Sequence, residues 1–323
     1  MTPESKDKYC FADRCAGAIL GTAFGDALGA GVEGCSAAEI ARDYGEVVDY
    51  LDVRSGAGRY TDDTQMMLAT ARSLVRMGKV DGADCAKACA EHFDPERGYG
   101  RSANEILSAL KNGADYTKTG TMLFSGGSYG NGAAMRIAPV GLFCGDMEPD
   151  LYRATVYDSV RATHDHDEAI DGALVMAVAI GRLSRNPDRL LPDVSLFLRD
   201  LASYCRTMEM RSSVILASRL LEEEPSREEI IGRLGHGVRT VASVPTALYT
   251  AMKFVSDPEK ALVAAVGYGG DTDTIAAMTG ALVGAMNGAQ AFPPRWHDGL
   301  ERGADGYHAL VTVSEQLYTM ACK

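Results

Sequence analysis

The chain lacks most of what would place a protein outside the cell, in a membrane or on nucleic acid. Its eight cysteines, at 10, 15, 35, 85, 89, 144, 205 and 322, form no CxxC pair. They sit mostly among apolar residues, as buried free thiols do, which points to a reducing compartment. No run of Lys and Arg interrupts a net charge of −12. Counterion release from a phosphate backbone needs such clusters, so nucleic acid is not an expected partner. No cationic segment leads into an apolar one at the N-terminus, so no signal peptide is expected. Apolar runs are broken by Asp, Arg or Gly short of bilayer-spanning length, so no membrane partner is expected either. The reading is a soluble, cytoplasmic protein. Strand-like alternation, solenoid-length repeats and a long interdomain linker are also missing. Pro225 beside Glu222–Glu224, and Asn186-Pro187-Asp188, mark turns only, and the Glu run itself reads as a solvated face.

What is present is helical. Hydrophobic residues make up 46% of 323, enough for a sizeable core. Residues 1–8 are polar and expected to fray. From Phe11 the pattern is helical, with Gly17, Gly21, Gly25 and Gly29 recurring every four residues. With Asp26 inside the run, that spacing predicts a central helix packed very close to its neighbours. Apolar or small residues follow i, i+3, i+4, i+7 spacing after Asp63 and again after Asp273. Further helices are expected near 83–93, 101–111, 131–142, 149–162, 167–184, 193–205, 210–223, 227–235, 244–255, 258–266 and 306–320. The expectation is one compact all-α domain of orthogonally packed helices over 9–323.

Two short acidic motifs lie far apart in this chain, Tyr60-Thr61-Asp62-Asp63-Thr64 and Gly269-Gly270-Asp271-Thr272-Asp273-Thr274. Either one alone reads better as a helix cap than as a metal site. A cap needs one side chain, whereas each motif carries two carboxylates and at least two hydroxyls. Converging carboxylates repel unless a cation lies between them. Such hard oxygen donors suit Mg²⁺ or Mn²⁺, and two clusters brought together make a two-metal site. An acidic protein handling a phosphorylated ligand also needs its charge cancelled locally.

Three other stretches carry candidate chemistry. Ser125-Gly126-Gly127-Ser128-Tyr129-Gly130-Asn131-Gly132 is followed by a helix-like segment from Ala133 through Arg136. Glycines let a backbone approach phosphate, and a helix N-terminus offers free N–H donors; a flexible surface loop is the alternative. The stretch is neither a Walker A loop nor GxGxxG after a strand. Tyr129 can stack on a sugar or base. Thr163-His164-Asp165-His166-Asp167 invites a zinc reading, but no third soft ligand lies at usual spacing. A polar helix start or a single ligand-contacting His are the other readings. Glu33 follows the glycine-rich helix, where a side chain emerges from a crowded core.

Together these residues resemble the ADP-ribosylglycohydrolase family. The resemblance rests on Gly25-Asp26-Ala27-Leu28-Gly29, Tyr60 through Met66, Gly127 through Arg136, Thr163-His164 and Gly269 through Ala276, in the family's order. It implies a compact all-α fold with two Mg²⁺ or Mn²⁺ ions in a central cleft, and hydrolysis of the glycosidic bond joining ADP-ribose to an acceptor. By motif it implies Thr61, Asp62, Asp63, Asp271, Asp273 and Thr274 as metal ligands and Glu33 as the catalytic glutamate; were Glu33 dispensable, Asp26 and His164 would be the next candidates for the base. It implies Gly127, Ser128 and Tyr129, extended to Gly130 and Asn131, as the diphosphate and ribose loop. His164, Gly98, Tyr99, Gly100, Phe124 and His236 complete the substrate-contacting set.

Asp94 through Gly100, Ser128-Tyr129 and Ser243 through Ala247 look most like the branch cleaving serine-linked ADP-ribose, poly(ADP-ribose) and O-acetyl-ADP-ribose. An ADP-ribosylated protein or an ADP-ribose-containing small molecule is the implied partner, met by a monomer. Two departures stand out: Arg101-Ser102 replaces small residues, and His236 replaces a common asparagine. Both are expected near the adenosine end. The open alternatives are an arginine-specific hydrolase, a two-metal nucleotide-diphosphate hydrolase and a non-catalytic, crystallin-like protein.

Overall fold

A computed structural model describes residues 3–52, 56–145, 147–186 and 193–322, with the backbone alone given at 3–10. Seventeen α-helices and four short 3-10 helices account for its regular structure, and the described residues contain no strand, only two isolated bridges. This is the all-α domain read from the sequence. Residues 1–2, and residues 187–188 of the expected turn, lie outside the described residues.

The glycine spacing sets the centre of the fold. Helix Pro3–Gly29 packs along helix Thr272–Asn287 more extensively than any other pair. A Cβ added at Gly17, Gly21 or Gly25 would lie 2.2, 2.2 and 2.0 Å from the carbonyl oxygens of Gly284, Gly280 and Ala276. The pairing order is reversed, so the two helices run antiparallel with backbones in contact, an approach only small residues permit. Gly29 closes the series against Asp273, with 2.5 Å between its added Cβ and the Asp273 nitrogen. The same glycine register therefore delivers the end of the first helix to the second acidic motif.

One expectation fails here. Phe11–Val32 is long and apolar enough by composition to cross a membrane. Its Gly residues and Asp26 do not break it; they are buried, and 83% of its most apolar window lies inside the protein. It is the core helix.

Helix Asp62–Met77 is tied to this centre by one buried side chain. Asp26, 0% exposed, accepts N–H bonds from Thr61 (2.8 Å) and Thr64 (2.9 Å) and a hydroxyl bond from Thr64 (2.6 Å). Burial pushes the Asp26 carboxyl up to about 6, against the lowering pull of these donors. Helices Asp167–Arg185, Thr240–Lys253 and Tyr307–Ala321 pack around the pair.

The helix expected over 131–142 is a second correction. Asn131–Ala133 is a single 3-10 turn, and the α-helix starts at Ala138. Long-range bonds take the backbone that a helix would use: Asn131 N–H donates to Val238 O (3.0 Å), and Thr240 N–H donates to Tyr129 O (3.1 Å). The helix-like continuation from Ala133 through Arg136 is thus a turn, and no α-helix begins directly behind the glycine loop.

Candidate active site

The two acidic motifs meet at Asp63. Its Oδ2 accepts from the hydroxyls of Thr61 and of Thr274, each at 3.3 Å, so one carboxylate joins residues 211 positions apart. Its Oδ1 is buried with no hydrogen-bond partner among the described residues, and the side chain is 1% exposed. Thr61 is also a cap, accepting from the Asp63 N–H at 3.4 Å. Asp271 stands at the other cap position but bonds no N–H of its own helix. It accepts instead from Asn131 Nδ2, which also donates to Ser243 Oγ at 3.1 Å. Asp273 accepts from the Thr274 N–H at 2.9 Å.

Glu33 reaches the same place from the first helix. It ends the short turn Ala30–Val32, and its neighbours are pinned to the glycines of the second motif. Gly34 N–H donates to Gly270 O, and Gly270 N–H donates to Cys35 O, both at 2.8 Å. Gly269 and Gly270 sit at φ +73° and +71°. A Cβ at Gly270 would lie 2.3 Å from His236 O, so this tight strap requires glycine. Carboxylate oxygens of Glu33, Asp271 and Asp273 come within 4.8 Å of one another.

Five carboxylates, Glu33, Asp62, Asp63, Asp271 and Asp273, line one cleft of 260 Å³. Burial is the first cause that raises the four aspartates, and mutual repulsion adds to it. Asp62 is pushed up to about 8 and Asp271 to about 6, while Asp63 and Asp273 rise well above the usual carboxylate range. These groups resist ionising side by side. An orphaned buried oxygen, hard donors from carboxylates and threonines, and crowded like charge together fit divalent cations of the Mg²⁺ or Mn²⁺ type.

The cleft's other wall comes from the glycine loop and the Gly98 turn. Gly98, Gly100, Ser128, Gly130, Asn131 and His164 all line it. Gly127 lies behind, at φ +77°, where a Cβ would meet the Asp165 backbone at 2.5 Å. Gly132 lies against the His164 ring, with 2.7 Å from an added Cβ. Burial of that ring and nearby Arg136 push His164 down to about 3, so it is neutral, with Nδ1 2.8 Å from Thr163 Oγ1. His166 points elsewhere and caps helix Asp167–Arg185 through Nδ1. The two histidines therefore do not share a ligand, which removes the zinc reading.

Besides Gly127, four expected contact residues stand off the cleft lining. Tyr129 is 52% exposed, its ring edge-on to His166 and faced by Arg239. Phe124 is exposed. Tyr99 is buried, donating to Gln65 Oε1 at 2.7 Å. His236 contributes its carbonyl to the Asp271 N–H (2.8 Å), and its Nδ1 lies 2.8 Å from Tyr268 O. Asp26 is the residue whose role the sequence only hinted at: it was legible as a buried acid in a glycine helix, not as the anchor of the first motif. A larger basin of 920 Å³ lies beyond Gly126 and His166 and contains none of the five carboxylates. Its size does not make it the chemical centre.

Comparison with known proteins agrees with this geometry. The profile of the ADP-ribosylglycohydrolase family matches residues 7–322. The chain is 30% identical to the human ADP-ribosylhydrolase ARH3 over 299 residues, covering 82% of this chain and 80% of that one. It is 28% identical to the chicken protein of that name, covering 96% and 94%. An uncharacterised protein of Archaeoglobus fulgidus is 34% identical, covering 88% and 90%. Among solved structures, an ADP-ribosylglycohydrolase-related protein complex superposes with a TM-score of 0.72 at 25% identity, covering 96% and 99%. This chain is a member of the ADP-ribosylglycohydrolase family, and with it an ADP-ribosyl-acceptor hydrolase.

Proposed function

We propose that the protein hydrolyses the glycosidic bond between ADP-ribose and a serine acceptor, on protein or in a small molecule, with two Mg²⁺ or Mn²⁺ ions. The observation that carries the metal requirement is Asp63, buried, with one oxygen shared between two threonines and the other unpartnered. An ionised carboxylate left in that state is costly. Thr61, Asp62, Asp63, Asp271, Asp273 and Thr274 would hold the ions. When bound, they cancel the repulsion among the carboxylates and supply Lewis acidity toward ribose hydroxyls and water.

The chain's own residues do the rest. Glu33, half-buried on the cleft lining beside Asp271 and Asp273, would move a proton at the anomeric carbon. Cleavage there passes through an oxocarbenium-like state, which neighbouring carboxylates stabilise. Asn131, held between Ser243 and Asp271, orients the second motif. Backbone at Ser128–Gly130 can approach a diphosphate closely, because Gly130 offers no side chain. The resemblance of Asp94–Gly100, Ser128-Tyr129 and Ser243–Ala247 to the serine-cleaving branch supports that acceptor.

The test is incubation of ADP-ribosyl-serine and ADP-ribosyl-arginine peptides with the protein, in EDTA and in Mg²⁺, with products read by mass. ADP-ribose released from the serine peptide in Mg²⁺ alone is the expected result. Release from arginine alone moves the acceptor, AMP moves the cleaved bond to the diphosphate, and equal release in EDTA removes the metals.

A further inference from the structure

Among the described residues that line the cleft, Arg101 is the one with a cationic side chain. Resting on the reading just given, we propose that Arg101 is a substrate-binding residue: it engages the diphosphate of the substrate together with the Ser128–Gly130 loop.

Five carboxylates line this cleft, and even two divalent cations bring only four positive charges to them. A diphosphate entering the cleft adds about two negative charges, drawn against a wall that remains acidic. Arg136 cannot answer it. That side chain is 1% exposed and its guanidinium is turned to Thr163 Oγ1 (2.7 Å) and Val160 O (3.4 Å). Arg239, beyond the loop, is engaged with Glu168 at 2.7 Å. Arg101 is neither buried nor held by a buried partner. It opens helix Arg101–Lys111 on the cleft wall, and its side chain is 93% exposed. Its partner is Glu105, one turn on, at 2.9 Å and itself 44% exposed. Solvated pairs of this kind hold their members weakly, so the guanidinium is cheaply released. Its planar fork of donors matches phosphate oxygens. Gly98 and Gly100, beside it on the same wall, leave room for the approach.

Calorimetry with ADP-ribose and with ADP, in Mg²⁺ at low and high salt, tests this on the wild type and on Arg101→Ala, Arg101→Lys and Glu105→Gln. Arg101→Ala should weaken both ligands about 10-fold at low salt, with less effect at high salt where the charge is screened. Arg101→Lys should recover part of the loss, and Glu105→Gln should bind as tightly as wild type or more so. In turnover, Arg101→Ala should raise KM with a much smaller effect on kcat. Thermal melting should be unchanged, because the side chain is exposed. Equal ADP-ribose affinity in wild type and Arg101→Ala at low salt overturns the inference and leaves the proposed function standing. Failure of the wild type to bind ADP-ribose at all overturns the proposed function itself.

Discussion

At the scale of single residues, chemistry and binding separate at Glu33. The metal and loop contacts proposed above fall to other side chains, so on that proposal Glu33 does not hold the substrate. Glu33→Gln keeps size and removes the proton-transfer group. The rate should fall by about 10²-fold or more, with ADP-ribose affinity little changed, since an interaction made only in the transition state lowers kcat without raising KM. Single-turnover hydrolysis by Glu33→Gln at near the wild-type rate would return the search to Asp26. His164 is a poorer substitute, because its buried ring stays neutral down to about 3 and carries no exchangeable charge near pH 7. The convergence of the two acidic motifs was legible in advance. Asp62, Asp63, Asp271 and Asp273 stood out as paired carboxylates in two distant motifs, and the fold brings them into one cleft. The anchoring role of Asp26 was not legible, because its three donors come from residues 35 and 38 positions away.

Among the elements, the glycine stripe does the positioning. Gly25 lies against the Ala276 carbonyl, one turn from where Gly29 meets Asp273, and Asp26 follows it directly. Gly25→Ala would drive a Cβ to 2.0 Å of a backbone oxygen that belongs to a helix and cannot yield. The expected cost is roughly 1–3 kcal/mol, read as a lower denaturation midpoint. Activity in Mg²⁺ should fall further than stability does, because the displaced helix ends carry both Asp26 and Asp273. Wild-type melting with wild-type activity would mean that the helices are not in contact there. The stripe at 17, 21, 25 and 29 was visible in the sequence, but its partners, Gly280 and Gly284, took on meaning only once the antiparallel pairing was known. Helices 101–111 and 258–266 fall where the apolar spacing put them. Segment 131–142 did not, because Val238, Arg239 and Thr240 hold the backbone of Tyr129, Gly130 and Asn131 at its start from more than 100 residues away, and no local pattern announces that. Helix Ala37–Asp43 was passed over although Ser36 and Glu39 form a capping box; it is short and buries only Ile40, so it has almost no apolar period to read.

For the whole molecule, the consequence of gathering these acids is a linkage between protons, cations and stability. Asp62 has its carboxyl raised from 3.8 to about 8 in the metal-free fold, chiefly by burial and then by Asp26. Between those values the folded protein keeps a proton that the unfolded chain has released. Unfolding then releases protons, so rising pH favours unfolding, and this group's contribution to stability declines from about pH 4 toward pH 8. Asp63 and Asp273, raised well above the usual range, act in the same direction. Cations bound only by the folded state oppose this by mass action, and they bind the deprotonated carboxylates, so protons compete with them. The stabilisation by Mg²⁺ should therefore grow as pH rises. Melting temperatures taken in EDTA and in excess Mg²⁺, at pH 5.5 and at pH 8, should show a small gain at the lower pH and a larger one at the higher. Asp63→Asn relieves one buried charge and removes one ligand at once, so it should raise the melting temperature in EDTA at pH 8 and shrink the gain from Mg²⁺. A gain from Mg²⁺ that is equal at both pH values, or larger at pH 5.5, would separate metal binding from these carboxylates.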